Sequence, residues 1–465
     1  MNKNDIQNEE NTFQKAEDIL VEVEKEGKEG IKAVENAAHK VSEVTPVKQV
    51  KQFWHNLGPG LTTGAADDDP SGVGTYSQTG AKYGFQLLWL AVFTFPLMAI
   101  IQEMCARIGL VTGRGLAANI KKYFPQWVLY TVAILVLMAN SFNIGANLGA
   151  MAKSTQLLAP YLPFWFLIIA FVLISLFLQI FISYQKYARY LKYLALILLV
   201  YVATAFFIKD FAWKEVLISG IVPSLNFSKD QIILICGILG TTISPYLFFW
   251  ETSQEVEEKI SEGKTTIAER QEIDKKEIRK MRTDVWVGMF LSNLVMFFII
   301  AVTATTLFRN GIIDITSAAD AAAALEPLAG RYASLLFSIG IIGTGLLAIP
   351  ILAGSASYAV SETLGWKEGL YLRFRQGIYF YGVIIFSMLI GLLLNFVGIN
   401  PIKALIYAAV ANGLVAPVIL ILIVIIANNR KIMNSHHNSP FIKFLGWVVV
   451  ALMVVAGIAT IISFF

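Results

Sequence analysis

The feature that most constrains this chain is a series of apolar runs that recur from residue 54 onward. Each is about 20 residues long, the length of helix that crosses the hydrocarbon core of a bilayer. Strands of a membrane barrel would alternate polar and apolar residues, and runs such as residues 194–208 do not alternate. The pattern predicts an all-α integral membrane protein and excludes a water-soluble one.

The charged residues are few and unevenly placed. They make up 15% of the 465 residues, whereas soluble proteins carry about 25%. Of the 70 charges, 19 lie in residues 1–52 and 18 in residues 251–284. The rest of the chain is too apolar to form the core of a soluble enzyme. Residues 1–52 lack the apolar stretch of a cleavable secretion signal.

The apolar runs and the charges that bound them predict eleven transmembrane helices. They cover residues 54–80, 85–111, 127–152, 162–184, 190–208, 230–250, 285–308, 332–354, 377–397, 402–427 and 444–465. The chain then divides into a charged N-terminal segment (1–52), a ten-helix core (53–427) and a cytoplasmic loop with the eleventh helix (428–465). Helical spacing of apolar residues predicts a surface helix at 13–41, and the charged segment 254–283 predicts a second solvated helix.

The positions of Lys and Arg predict the orientation in the membrane. The loops after spans 2, 4, 6, 8 and 10 hold 19 of these residues, and the opposite loops hold seven. Cytoplasmic loops carry the excess of positive charge. We therefore expect a cytoplasmic N-terminus and, with an odd number of spans, an extracellular C-terminus.

Two of the spans contain residues that interrupt a helix. Span 1 contains Gly58-Pro59-Gly60 and Asp67-Asp68-Asp69-Pro70-Ser71-Gly72, and span 6 contains Gly240-Thr241-Thr242 and Ser244-Pro245. A charge near the bilayer centre costs about 3 kcal/mol, so three adjacent aspartates must face water or a cation. If the first ten spans form two halves of five, the interruptions occupy matching places, which is typical of a transport site. A carboxylate with freed carbonyls suits a hard cation.

These motifs resemble the NRAMP family of divalent-metal transporters. Asp69-Pro70-Ser71-Gly72 stands where that family has Asp-Pro-Gly-Asn, residues 106–114 (ARIGLVTGR) close span 2, and residues 237–245 (GILGTTISP) stand at the stretch that ends in the family's Met-Pro-His. The resemblance covers most of residues 56–427. It implies the inverted-repeat fold of the leucine-transporter type, with two halves of five helices, broken helices 1 and 6, and alternating access around one metal site.

The resemblance also implies four metal ligands, Asp69, Gly72, Thr241 and Ser244. Asp69 would supply a carboxylate and Thr241 a backbone carbonyl. Gly72, however, stands where the family has an Asn side chain, and Ser244 stands where it has a Met thioether. A hydroxyl is a harder ligand than a thioether, and the missing Asn leaves room for the waters that Mg²⁺ retains. The chain thus resembles the NRAMP-related magnesium transporter branch, and Mn²⁺, another hard ion, is not excluded.

Seven further polar residues are candidates for the ion pathway or for the surroundings of the ligands: Asp67, Asp68, Tyr246, Glu251, Asn143, Asn147 and Asn412. Asp67 and Asp68 either attract the ion or cap the broken helix. Glu251 either lines the inner exit or is an ordinary cytoplasmic charge. The asparagines either contact a hydrated ion through water or form hydrogen bonds between helices.

The groups that would carry a proton are missing. By the resemblance, proton-coupled members of the family use acidic residues in span 3 and a histidine after the Met-Pro of span 6. Here no Asp or Glu occurs between Glu103 and Asp210, and Tyr246 replaces the histidine; the reference pKa of tyrosine is too high for a proton relay. We expect uncoupled uptake, since a divalent ion gains about 4.6 kcal/mol across roughly 100 mV.

Three alternatives stay open. A proton-coupled Mn²⁺ or Fe²⁺ symporter would share the fold, as would a sodium-coupled carrier of organic solutes, although three aspartates do not suit an anionic substrate. An intramembrane enzyme is disfavoured because no span contains a catalytic motif such as HExxH or GxSxG. The expected partners are the transported ion and the lipid bilayer of the cell membrane, with no cofactor, no nucleic acid and a monomeric state.

Overall fold

The computed structural model describes residues 58–182, 196–209 and 211–465, and within these residues every regular element is a helix. The helices are α1 (Pro59–Asp67), α2 (Pro70–Tyr83), α3 (Trp89–Thr112), α4 (Leu116–Tyr123), α5 (Gln126–Leu158), α6 (Phe164–Phe181), α7 (Val200–Phe207), α8 (Trp213–Ile221), α9 (Lys229–Thr242), α10 (Pro245–Ser261), α11 (Ile267–Arg270), α12 (Lys275–Thr306), α13 (Ala318–Ala323), α14 (Glu326–Ala329), α15 (Ala333–Leu364), α16 (Ile378–Leu394), α17 (Pro401–Asn428), α18 (Arg430–Met433) and α19 (Pro440–Ser463). The surface helix predicted at 13–41 lies outside the described residues.

The described helices confirm the all-α membrane architecture. In the described ranges, eight stretches are long and apolar enough to cross a membrane: Trp89–Thr112, Gln126–Leu158, Phe164–Phe181, Lys229–Ser261, Lys275–Asn310, Glu326–Leu364, Pro401–Asn428 and Pro440–Ser463. Of the other predicted spans, the first is the pair of short helices α1 and α2, and the ninth is α16 with 17 residues. The fifth lies partly outside the described residues and includes α7.

The charged segment 254–283 is not the single solvated helix that the sequence predicted. Helix α10 runs on to Ser261 and ends before Gly263, whose φ of +92° breaks the helical path. Thr266 and Asp274 then begin new helices with capping boxes, in which side chain and backbone satisfy each other's hydrogen bonds. Because of these local start and stop signals, the segment forms separate helices instead of one.

Both interrupted helices restart at a proline. Helix α2 begins at Pro70 and α10 begins at Pro245, each at the first helical position, where a missing N–H leaves no helical bond unmade. The apolar part of α9 and α10 is 83% buried, against 33% for α6 and for α19. The broken sixth span therefore lies inside the bundle, while α6 and α19 lie at its surface.

Glycines bring α1 into direct backbone contact with α12. A Cβ added at Gly64 would lie 2.3 Å from the carbonyl oxygen of Gly288, and one added at Gly288 would lie 2.2 Å from that of Gly60. Small residues allow this approach between membrane helices. Beside the contact, the Asp284 carboxylate accepts hydrogen bonds from the backbone N–H groups of Gly60 at 2.7 Å and Leu61 at 3.2 Å. Helix α1 therefore contacts α12 in two ways: through the glycine backbone, and through the hydrogen bonds of its N-terminus to Asp284.

We expect Gly64→Ala to destabilise the protein, because the new methyl group would meet backbone atoms that have no room to move. Overpacking of this kind costs about 1–3 kcal/mol, so thermal unfolding of the detergent-purified protein should begin at a lower temperature. Gly382→Ala is the matched control, since a Cβ there meets no atom within 4 Å. Equal unfolding temperatures for the two variants would contradict the close contact.

Candidate metal site

The break between α1 and α2 holds the Asp69 carboxylate in a set of four hydrogen bonds. Its Oδ1 accepts from Ser71 Oγ at 2.5 Å and from the backbone N–H of Gly72 at 2.9 Å. Its Oδ2 accepts from the side-chain amides of Asn147 at 2.9 Å and Asn143 at 3.1 Å. Donors on both oxygens fix the carboxylate in position and stabilise its charge. The two asparagines of span 3 therefore lie beside the predicted ligand.

Gly72 and the break in span 6 face each other. A Cβ added at Gly72 would lie 3.1 Å from Thr241 Oγ1 and 3.1 Å from the carbonyl oxygen of Asp67. Ser244 lies at the same break, where its hydroxyl donates to the carbonyl oxygens of Gly240 and Thr241, both at 2.7 Å. The missing side chain of Gly72 thus lets the two breaks pack closely together. The room for water that the sequence predicted at this position is not present in the structure. All four predicted ligands belong to this one region.

Asp67 and Asp68 face α12 rather than the start of α2. Ser292 Oγ donates to Asp67 Oδ2 at 2.7 Å and lies 3.4 Å from Asp68 Oδ1. The residue that caps α2 is Asp69. Helix capping, one of the two interpretations open for Asp67 and Asp68, therefore applies to Asp69 and not to them.

The three aspartates are deeply buried. Each is at most 4% exposed, and in the part of the chain that the structure describes none forms an ion pair with Lys or Arg. Buried charges are stable only when paired or bound to a metal. The described residues contain no group of three His, Cys, Asp or Glu side chains that could hold a metal by themselves. A cation here would combine carboxylate, carbonyl, hydroxyl and water ligands.

The remaining candidates lie at three different places. The Tyr246 hydroxyl donates to the Ala66 carbonyl oxygen at 2.9 Å, which joins α10 to the end of α1. Asn412 is fully buried on α17, and its side-chain amide makes no hydrogen bond to any described residue. Glu251 accepts a hydrogen bond from Thr63 Oγ1 and is fully buried, so it is not an ordinary surface charge.

The sequence did not single out Ser71 and Ser292 as neighbours of the aspartates. Ser292 offered a signal, because it is a polar residue in the middle of an apolar span. Tyr76 is also part of the region, since its ring carbon Cε2 lies 3.3 Å from the Cβ position of Gly72. Nothing in the linear pattern places that ring at the break.

The family model described as Natural resistance-associated macrophage protein-like (Nramp) matches residues 60–463. The chain belongs to the Nramp family. It is 25% identical over 421 residues to the divalent metal cation transporter MntH of Bacillus subtilis, covering 88% of this chain and 92% of that protein. It is 26% identical over 407 residues to MntH of Pectobacterium carotovorum, covering 86% and 92%.

Solved structures show the same fold in other transporters. The manganese transporter of Eremococcus coleocola superposes with a TM-score of 0.70 at 19% identity, covering 89% of this chain and 87% of that one. The inward-facing conformation of Mhp1 superposes with a TM-score of 0.50 at 15% identity, covering 87% and 89%. The predicted leucine-transporter type of fold, with helices 1 and 6 broken, is confirmed. This Nramp protein is a multi-pass membrane transporter and not an enzyme.

We expect Tyr246→Phe to destabilise this Nramp protein, because the buried Ala66 carbonyl would lose its donor. Leaving a buried acceptor unsatisfied costs about 1–3 kcal/mol, which a lower thermal unfolding temperature would report. Tyr83→Phe is the control: its hydroxyl lies 3.2 Å from Ser228 Oγ in an exposed place, where water can replace it. A larger loss in the control would argue against the bridge between the two breaks.

Proposed function

We propose that this divalent-metal transporter of the Nramp family takes up Mg²⁺, and also Mn²⁺, as a partly hydrated ion by alternating access. In this proposal Asp69, Gly72, Thr241 and Ser244 surround the ion, and the membrane potential drives uptake without a proton. The cytoplasmic N-terminus, the extracellular C-terminus and the monomeric state stay predictions.

The observation that carries the proposal is the chemistry of the groups around Asp69. The side chains and carbonyls at the two breaks offer a carboxylate, the Ser244 hydroxyl and backbone oxygens, and none of the four ligand positions supplies sulfur. Oxygen ligands suit Mg²⁺ and Mn²⁺, whereas a thioether would favour softer transition metals. The donor set therefore supports a hard ion.

The surroundings of Asp69 also suit an ion that keeps part of its water. Asn143 Oδ1, Asn147 Oδ1 and Asp67 Oδ1 are buried acceptors without a hydrogen-bond partner among the described residues. Waters on a metal ion are donors, and each of these oxygens can accept from one. Mg²⁺ retains several waters and needs only one or two carboxylates.

The residues beside Asp69 support transport without a proton. Asn143 and Asn147 donate to its carboxylate, and an amide side chain does not titrate. No Asp or Glu occurs in the sequence between Glu103 and Asp210. The Tyr246 hydroxyl, at the place of the family's histidine, is bound to a backbone carbonyl.

A proton-coupled Mn²⁺ or Fe²⁺ symporter is the second candidate. It is favoured by the names of similar proteins, which are a divalent metal cation transporter and a manganese transporter. The sodium-coupled carrier of organic solutes is the least supported, because three buried carboxylates at the break do not suit the anionic group of an organic substrate.

Uptake into proteoliposomes distinguishes these candidates. With an inside-negative potential, we expect Mg²⁺-sensitive and Mn²⁺-sensitive dyes in the lumen to respond and an internal pH dye to stay constant. Entry of Mn²⁺ without Mg²⁺ would overturn the magnesium assignment, and metal-dependent acidification would overturn uncoupled transport. Asp69→Ala should abolish uptake in a monodisperse protein, whereas Asp320→Ala, at an exposed capping box, should not.

The ligand at Ser244 can be tested by restoring the thioether. We expect Ser244→Met to bind Cd²⁺ more tightly relative to Mg²⁺, because sulfur prefers the softer ion. Isothermal titration calorimetry with each ion measures the ratio. Ser244→Ala is the control that removes the hydroxyl without adding sulfur. If Ser244→Met and Ser244→Ala show the same ratio, position 244 does not contact the ion.

A further inference from the structure

A second group of buried acidic residues lies away from the candidate metal site, around the N-terminal end of α1. Glu251 and Glu255 lie on α10 and Asp284 lies on α12, and each is at most 4% exposed. By the predicted orientation, this is the cytoplasmic side of the bundle. Helix α1 connects the two groups, because Thr63 contacts Glu251 and Asp67 lies at the break.

Asp284 has a structural role. Its two carboxylate oxygens accept hydrogen bonds from the backbone N–H groups of Gly60 and Leu61, which have no partner within the first turn of α1. An anion at the N-terminus of a helix is also favoured by the helix dipole. This carboxylate therefore holds α1 in place.

Among the described residues, only one of the two carboxylate oxygens of Glu251 has a hydrogen-bond partner. Its Oε2 accepts from Thr63 Oγ1, but its Oε1 is buried and has no hydrogen-bond partner among the described residues. No Lys or Arg forms an ion pair with it in the described ranges. Leaving a buried oxygen without a hydrogen bond is unfavourable. The position of Glu251 Oε1 therefore indicates a site where a ligand can bind.

The position of Glu251 fits an ion that leaves the candidate metal site. It follows Ser244 by seven residues, which is about 10 Å along the helix axis toward the end of α10. Glu255 follows one turn later on the same face of the helix, and its carboxylate makes no hydrogen bond to a described residue. Two carboxylates with water are a sufficient ligand set for a hard divalent ion.

We propose that Glu251 and Glu255 form an inner cation station, which receives the divalent ion after it leaves Asp69. The station rests on the proposed function, since it needs a divalent ion as cargo. In the present conformation Thr63 occupies one oxygen of Glu251. An ion that binds both oxygens displaces this hydroxyl and so removes a contact between α1 and α10.

The station can be tested by the binding of Mn²⁺ alone to the purified full-length chain. Binding is measured as the loss of the electron paramagnetic resonance signal of the free ion. Asp69→Asn should remove the central site and leave a weaker one. Adding Glu251→Gln should lower that remaining affinity by about tenfold, because glutamine keeps the acceptor for Thr63 but removes the charge. Glu258→Gln, at a partly exposed partner of Lys280, is the control and should change nothing.

Two results would overturn the station: no remaining Mn²⁺ binding in Asp69→Asn, or remaining binding that Glu251→Gln leaves unchanged. If the glutamine variant does not fold, Glu251→Asp in the same background replaces it, and an unchanged affinity again contradicts the proposal. If the wild-type protein shows no uptake of the ion, the proposed function is refuted. The binding measurements would still test the station independently.

The rate of Mn²⁺ uptake distinguishes a role of Glu251 in transport from a purely structural role. In the otherwise wild-type chain, Glu251→Gln should lower the maximal rate of Mn²⁺ uptake and leave the half-saturating concentration within about twofold, since loading at Asp69 comes first. Glu251→Asp should restore part of the rate. An unchanged maximal rate in Glu251→Gln would contradict a station on the exit path.

Discussion

The structure depends on keeping negative charge inside an apolar bundle. Asp67, Asp68 and Asp69 are buried at the centre of a membrane protein and form no ion pair with Lys or Arg in the described part of the chain. Among the described residues, hydrogen-bond donors stabilise Asp69, and four of them converge on its two oxygens. In the proposed function a bound cation would neutralise the remaining negative charge. The site lies where two helices break and backbone atoms become available as ligands.

Much of the candidate site could be predicted because local residues define it. Pro70 and Pro245 restart the helices, and the residue before each proline is a predicted ligand. The family resemblance then placed Gly72 and Thr241, which the structure brings together. The paired breaks indicated a transport site, and the family resemblance implied the inverted-repeat fold.

The parts that could not be predicted depend on contacts between distant segments. Ser292 reaches Asp67 across 225 residues, and Thr63 reaches Glu251 across 188. A helical period indicates which side of a helix is apolar but not which helix it meets. The prediction of one helix at 254–283 was wrong for a different reason. The charged composition indicated a solvated helix but did not show that Gly263 and two capping boxes divide the segment.

The glycine contact between α1 and α12 has a consequence for motion. Where side chains interdigitate, two helices can shift by changing rotamers, but backbone packed on backbone offers no such freedom. Because Asp284 also binds the first turn of α1, this helix cannot shift along α12. Any tilt of α12 is therefore carried over the nine residues of α1 to the aspartates at its other end. The two helices therefore form one rigid unit between Asp284 and the break.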